Sequence, residues 1–193
     1  MPEFEIESNS GVLDVMSEWR PFHKSFAGNA TYDGAYRLLV TELGLDVSFI
    51  AQKVPVVIEF TQKGEYFEGL WKADCGELWL ACPENGRYIE INLGANGAWW
   101  SCVFSSPRVR DLECQPPQCK DIKTESLGRH WQASIVVPWL EIFRCLRSED
   151  APVANVTLIL GGCPDADAPL RLRVLPTHKR APGRARDVGA CAT

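Results

Sequence analysis

Hydrophobic residues recur along much of this chain with a period of two. The alternation runs through residues 45–51, 56–61, 129–137, 155–160 and 170–175. A period of two is typical of strands with one buried face. Because turn residues separate these short runs, the pattern predicts an all-β fold, either a sandwich or a barrel.

Two segments depart from the strand pattern. PWLEIFRCLR (138–147) has helical spacing, and Pro138 suits the start of a short helix. The stretch 105–128, which contains CQPPQC, is interpreted as a long loop. We therefore predict one β-sandwich domain over 1–176, with a basic, flexible tail over 177–193.

The segment 77–104 contains two Asn-Gly dipeptides, at 85–86 and 96–97. Asn-Gly favours a two-residue hairpin turn, which fixes the pairing register of the strands beside it. A two-residue turn at 96–97 would pair Leu93 with Trp100.

The other Asn-Gly turn, at 85–86, would pair Cys82 with Ile89. Since paired residues share a face, both turns together divide the segment into two sides. The expected apolar side comprises Leu78, Leu80, Cys82, Ile89, Ile91, Leu93, Trp100, Cys102 and Phe104. The expected opposite side comprises Glu77, Trp79, Ala81, Tyr88, Glu90, Asn92, Trp99, Ser101 and Val103.

The second side combines aromatic rings with acids and an amide, and Gly94 leaves open space across from Trp99. Aromatic rings pack on the C–H face of a pyranose, while carboxylates and amides bind its hydroxyls. An apolar site with a few placed polar groups is common among ligand sites. The alternative is that Trp79 and Trp99 pack under a loop, with Glu77 and Glu90 merely solvated. In either case Trp100 is predicted to lie in the core.

Composition narrows the classes of partner. The 193 residues are 46% hydrophobic and 23% charged, which is ordinary for a globular protein. A net charge of −5 argues against nucleic acid, and the basic run 179–186 lies in the predicted tail. No stretch approaches the roughly 18 apolar residues of a membrane span. The acidic start MPEFEIESNS lacks an apolar signal region, which predicts a cytoplasmic protein.

Eight cysteines are then expected to be mostly reduced thiols that pack as small hydrophobes. Cys114 and Cys119 in CQPPQC have no second pair, so the spacing favours a proline-containing loop over a zinc site. No cofactor and no metal is predicted.

Four segments in order, at 70–80, 87–93, 95–108 and 130–142, resemble the bacterial DOMON-like proteins. They read LWKADCGELWL, RYIEINL, ANGAWWSCVFSSPR and HWQASIVVPWLEI. These proteins are close in pattern to the family-nine carbohydrate-binding modules. The resemblance implies a β-sandwich of jelly-roll or immunoglobulin-like type that binds a ligand without catalysis, with sugar as the best-known ligand.

By position, the resemblance implies that Trp71, Glu77 and Asn92 contact the ligand. The sugar-binding members also carry a second aromatic late in the chain. Here residues 170–183 contain no Trp, Tyr or Phe, and His178 is the only ring.

Three other functions remain open at this stage. Glu77 and Glu90 share a face, as glycosidase carboxylates do, but no cleft or nucleophile motif supports catalysis. Haem, which some DOMON domains bind, would need Met16 or a histidine. An aromatic face can also bind protein, including a second copy of this chain in a homodimer.

The sequence thus predicts a non-catalytic, lectin-like module that binds a small molecule or an oligosaccharide, with no nucleic-acid or membrane partner. The predicted ligand-binding residues are Trp71, Glu77, Trp79, Tyr88, Glu90, Asn92 and Trp99.

Overall fold

The structure, a computed structural model, describes residues 18–22, 24–25, 33–160 and 170–173. The predicted tail 177–193 lies outside these residues, as do Met16, His23 and His178.

Twelve strands form two antiparallel sheets in the described part of the chain. The strands are β1 (Arg20–Pro21), β2 (Lys24–Ser25), β3 (Gly34–Val40), β4 (Gly44–Ala51), β5 (Cys75–Ala81), β6 (Tyr88–Gly94), β7 (Trp99–Ser106), β8 (Val109–Arg110), β9 (Lys120–Leu127), β10 (His130–Pro138), β11 (Val153–Leu160) and β12 (Leu170–Arg173). One sheet has the order β1-β3-β4-β10-β9, and the other has the order β2-β12-β11-β5-β6-β7-β8. The predicted all-β sandwich is confirmed.

The main core lies between the two sheets. Tyr36 and Phe49 of the five-stranded sheet face Leu78, Ile91 and other apolar side chains of the seven-stranded sheet. This arrangement is the usual face-to-face packing of a β-sandwich. The sheets approach closely enough that a Cβ on Gly76 would lie 2.3 Å from the Phe49 ring.

The predicted helix is confirmed as α1 (Trp139–Leu146), which follows Pro138 at the end of β10. Its apolar residues Ile142, Cys145 and Leu146 are buried, so the helix closes one end of the core. The predicted strands at 45–51, 129–137, 155–160 and 170–175 correspond to β4, β10, β11 and β12.

The strand predicted at 56–61 is wrong, because this segment belongs to an irregular loop over 52–69. Val56 O accepts the Asp74 N–H, and Val56 N–H donates to the Asp74 carboxylate, but the segment joins neither sheet ladder. Ile58 instead packs against a second apolar cluster on the outer side of the seven-stranded sheet.

The loop predicted over 105–128 is also wrong in part, because β8 and β9 lie within it. β9 is an edge strand with mostly exposed residues. An edge strand of this kind needs little hydrophobic periodicity, so the pattern did not reveal it.

The hairpin between β5 and β6 has a longer loop than predicted. Cys82 N–H donates to Arg87 O, which leaves a four-residue loop over 83–86. Leu80 therefore pairs with Ile89, a shift of two residues from the predicted register. Since side chains alternate with a period of two, this shift leaves the predicted faces of β5 and β6 unchanged.

The hairpin between β6 and β7 has a three-residue loop, Ala95 to Gly97, and this reverses the predicted faces of β7. Gly94 N–H donates to Ala98 O at 2.8 Å, and Gly97 has a left-handed φ of 84°. A left-handed glycine at the last loop position is typical of three-residue hairpins. Leu93 consequently pairs with Trp99, not with Trp100.

A register shift of one residue moves every side chain of a strand to the other face. The predicted core position of Trp100 is therefore wrong, and so is the predicted position of Trp99 on the polar side. Trp99 lies in the main core, whereas Trp100 belongs to the outer cluster.

Ser101 explains why alternation favoured the wrong register. It faces the core, where its hydroxyl donates to Pro117 O at 2.9 Å. Trp100, Cys102 and Phe104 face outward and pack with residues from the neighbouring loop and strands. Both sides of β7 are thus buried, and polarity alone does not distinguish them.

Among the residues that the structure describes, no helix is long and apolar enough to cross a membrane.

Candidate functional site

The outer side of the seven-stranded sheet forms the floor of the candidate site. Its side chains line up in three cross-strand rows over β11, β5, β6 and β7. The rows are Thr157-Glu77-Asn92-Trp100, Asn155-Trp79-Glu90-Cys102 and Val153-Ala81-Tyr88-Phe104. β5, β6 and β7 therefore present carboxylates and aromatic rings side by side on this face of the sheet.

Trp71 forms one wall of the site. It lies in a short 3-10 turn, Leu70–Lys72, which Gly69 begins with a left-handed φ of 105°. The Trp71 ring meets Trp100 edge-to-face, with centroids 5.8 Å apart. The turn thus brings a loop tryptophan against a strand tryptophan.

A buried ion pair holds the loop that precedes this turn. Lys53 Nζ lies 2.6 Å from Asp74 Oδ2, and the two side chains are 5% and 0% exposed. The same carboxylate accepts the Val56 N–H at 2.9 Å. The loop 52–69 is therefore fastened where β5 begins.

β8 and its turn form the opposite wall. The Arg110 guanidinium lies over the Trp100 ring at 5.2 Å and pairs with Glu68 from the loop. Arg108 has a left-handed φ of 66° and donates its backbone N–H to the Tyr88 hydroxyl at 3.0 Å. The Tyr88 ring stacks on Phe104 with centroids 4.5 Å apart.

These walls and the floor enclose a groove of about 300 Å³. It is lined by Trp71, Glu77, Tyr88, Glu90, Trp100, Phe104, Arg108 and Arg110. Rings, carboxylates and guanidinium groups therefore converge on one space, as in many ligand sites.

The two carboxylates of the groove are held in place by neighbours. Glu77 is 3% exposed and accepts a 2.6 Å hydrogen bond from Thr157 Oγ1. Asn92 Nδ2 donates to Glu90 Oε1 at 3.2 Å. Asn92 is fully buried, and its Oδ1 has no hydrogen-bond partner among the described residues.

The thiols beside the groove are not activated. Burial raises the pKa of Cys102, and the nearby Arg110 charge offsets this only in part. Burial, together with the charge of Glu77, raises the pKa of Cys75 well above its ordinary value. Both groups are therefore neutral at physiological pH and unsuited to act as nucleophiles.

A second pocket of about 180 Å³ adjoins the groove and shares Tyr88 with it. It is lined by Trp79, Ala81, Tyr88, Val153, Ala154 and Asn155. Asn155 Oδ1 is buried and has no hydrogen-bond partner among the described residues. The sheet surface thus continues past the groove toward β11.

The structure brings Trp71, Glu77, Tyr88 and Glu90 together in the groove. Trp79 lines the adjoining pocket, and Asn92 is buried in the row between Glu77 and Trp100. Trp99 lies on the other side of the sheet, where its Nε1 donates to Gly64 O and its ring packs on Tyr66.

Sequence reasoning missed four residues that line the groove: Trp100, Phe104, Arg108 and Arg110. The first two follow from the three-residue hairpin, which the Asn96-Gly97 dipeptide does not distinguish from a two-residue turn. Arg108 and Arg110 come from a turn and a two-residue strand, and neither has a periodic pattern.

No described histidine lines the groove or the pocket, since His130 begins β10 in the other sheet. Nor do the described residues contain a group of three or more His, Cys, Asp or Glu arranged to hold a metal ion.

Solved structures of other proteins share this fold. The chain is similar to a candidate carbohydrate-binding protein from Bacteroides uniformis ATCC 8492, with a TM-score of 0.57 at 12% identity over 86% of this chain and 81% of that one. It is also similar to a family-nine carbohydrate-binding module from Caldicellulosiruptor kristjanssonii.

The complex of that module with glucose has a TM-score of 0.54 at 10% identity, over 89% of this chain and 82% of that one. The complex with cellotriose has a TM-score of 0.51 at 10% identity, over 86% of this chain and 80% of that one. No family model and no curated protein matches the sequence. The shared property is therefore the fold.

Proposed function

We propose that this protein is a non-catalytic carbohydrate-binding module, and that the groove beside Trp71 is its sugar site. The observation that carries the proposal is the meeting of Trp71 and Trp100 above Glu77 and Glu90. A fold shared with modules solved in complex with glucose and cellotriose supports the same ligand class.

The chemistry of the groove suits a pyranose. The exposed part of the Trp71 ring offers an apolar surface to the sugar C–H groups, and the carboxylates accept hydrogen bonds from hydroxyls. Arg108 and Arg110 add donors at the rim. Because Thr157 and Asn92 already orient the two carboxylates, binding orders few further side chains.

Trp79 and Asn92 extend this proposal. Trp79 lies in the pocket that adjoins the groove through Tyr88, so a chain of sugars could continue across the sheet. Asn92 Oδ1 beneath the groove and Asn155 Oδ1 beneath the pocket are buried and have no hydrogen-bond partner among the described residues. An oligosaccharide is therefore proposed to bind more tightly than its monosaccharide.

Catalysis is not proposed, although two carboxylates face the groove. Glu77 accepts a hydrogen bond from Thr157 and Glu90 accepts one from Asn92, which suits both groups to hold a ligand hydroxyl. A glycosidase needs one carboxyl group as an acid, with a pKa raised by its surroundings.

Titration of intrinsic tryptophan fluorescence and calorimetry with glucose, cello-oligosaccharides and xylo-oligosaccharides test the proposal. Trp71→Ala is expected to weaken binding about threefold to tenfold, since one aromatic contact is lost. Trp19→Ala is the matched control, because Trp19 lies beside Arg37 on the other sheet.

Failure of all these sugars and of a broad glycan array to bind the wild-type protein would refute the proposal. A concentration-dependent dimer that Trp71→Ala dissociates would instead support a homodimer through the aromatic face. An intense Soret band after haem addition would support haem binding.

A further inference from the structure

Three cysteines meet outside the groove, where the connection from β8 to β9 packs on α1. Cys114 and Cys119 bound the CQPPQC segment, and Cys145 lies on the helix. The Cys145 and Cys114 thiols both contact Gln115 O, at 3.7 and 3.8 Å. All three are free thiols.

Neighbouring contacts hold this segment against the helix. Arg144 donates to Gln115 O at 3.0 Å and to Glu141 at 2.7 Å. Glu141 in turn accepts the Gln118 N–H at 3.0 Å. The backbone that carries Cys114 is therefore positioned beside α1 without any covalent link.

The Cys114 and Cys145 thiols differ in their exposure to solvent. Cys114 is half-exposed, and the Arg144 guanidinium lies 3.7 Å from its sulfur. Cys145 is buried, and burial raises its pKa to about 12. Burial also raises the pKa of Cys119. Cys114 is thus the thiol that a solute reaches first.

We propose that Cys114 and Cys145 form a thiol–disulfide exchange site that reacts with a low-molecular-weight disulfide such as oxidised glutathione. The Cys114 thiolate attacks one sulfur of glutathione disulfide, which forms a mixed disulfide and releases one glutathione thiolate. Cys145 then loses its proton and attacks the Cys114 sulfur, and the second glutathione leaves. In total, two protein thiols are oxidised to one disulfide, and one glutathione disulfide is reduced to two glutathiones.

The protein disulfide would join the β8–β9 connection to the helix. That connection begins directly after Arg110, which lines the groove. It contains Asp111, whose carboxylate pairs with Arg87, the residue before β6. A covalent link here restricts the unfolded chain and raises thermal stability.

The test is to incubate the full chain with oxidised glutathione and to analyse it by non-reducing mass spectrometry. The expected product is lighter by two hydrogens and yields a cross-linked peptide pair that contains Cys114 and Cys145. Its melting temperature is expected to exceed that of the reduced protein by several degrees.

Variants separate the two steps. Cys145→Ser is expected to stop at the glutathione adduct on Cys114, and Cys114→Ser is expected to form neither adduct nor cross-link at these positions. Arg144→Gln removes the contacts with the Cys114 sulfur and Gln115 O, and is expected to lower the yield of the cross-link. Cys82→Ser is the matched control, because Cys82 is a buried thiol elsewhere in the core.

In the wild type, the second step is expected to accelerate as the pH rises, because more Cys145 is then deprotonated. A cross-link that pairs Cys119 with Cys145, or unchanged oxidation in Cys114→Ser, would overturn the proposal. Since the wild-type peptide map alone distinguishes these pairings, the test stands even where Cys145→Ser fails to fold.

Discussion

Thr157 Oγ1 on β11 donates a 2.6 Å hydrogen bond to Glu77 Oε2 on β5, and both residues are buried. This contact orients a carboxylate of the groove from the neighbouring strand. Thr157→Val keeps the shape of the side chain but removes the donor. We expect the free energy of unfolding to fall by about 1.5–3 kcal/mol, as for hydrogen bonds to charged groups.

Urea denaturation measures that loss, and sugar titration measures the accompanying loss of affinity. Thr157→Ser, which retains the hydroxyl, is the matched control for both. Equal stability and equal affinity in Thr157→Val and the wild type would show that the contact orients nothing.

Trp99 in the main core and Trp71 at the wall of the groove are expected to respond differently to truncation. Trp99→Ala removes a core ring and should cost about 3–5 kcal/mol of unfolding free energy. Trp71→Ala, at the half-buried wall of the groove, should cost less stability but more sugar affinity. If Trp99→Ala leaves the urea midpoint unchanged, the three-residue hairpin register is wrong.

The buried pair of Lys53 and Asp74 is expected to be essential for stability. Asp74→Asn leaves the ammonium group without its charged partner, and breaking a buried pair costs about 3–5 kcal/mol. Glu59→Gln, at an exposed position of the same loop, should change stability by no more than about 0.5 kcal/mol. Chemical denaturation of both variants compares the two effects directly.

Close packing of the sheets predicts the effect of a single methyl group. Gly76→Ala would place a Cβ 2.3 Å from the Phe49 ring, and such overpacking costs about 1–3 kcal/mol. Phe49→Leu in the Gly76→Ala background should recover part of that loss, because the pair is in contact. A purely additive double mutant would indicate that the sheets lie farther apart.

Stability is expected to decrease in acid because of Asp111. Its hydrogen bond from Arg87 is the main cause that lowers the pKa of this carboxyl below the ordinary value of 3.8. A lowered folded-state pKa contributes stability that is complete above the ordinary value and lost as the pH falls through the folded value. Melting temperatures should therefore show a steeper acid decline in the wild type than in Asp111→Asn, with Asp150→Asn unchanged from the wild type.

Periodicity predicted much of the fold because most strands bury one side against the core. Alternate residues of β4, β10 and β11 lie in the main core, and Pro138 marked the start of α1. Pattern failed where a strand has both sides buried, as β7 does, or is almost wholly exposed, as β9 is. In neither case does polarity alternate with burial.

From strand periodicity, the candidate site was predictable only where its residues lie on β5 and β6, whereas Trp71 was predicted from the family resemblance. Glu77, Tyr88 and Glu90 share a face that a two-residue error in register could not change. Predicting the side of Trp100 required the loop length of one hairpin, and Asn-Gly is compatible with both a two-residue and a three-residue loop. Arg110 required a tertiary contact with Glu68, which lies 42 positions earlier.

The edge strand β9 has a consequence for behaviour at high concentration. An unpaired strand edge is a template on which another molecule can add a strand, and this is a common beginning of aggregation. Lys120, Asp121, Lys123 and Glu125 place charges of both signs along this edge. A strand added there would have to bury those charges. The charged residues that gave β9 no hydrophobic periodicity therefore also protect the protein from polymerising through this edge.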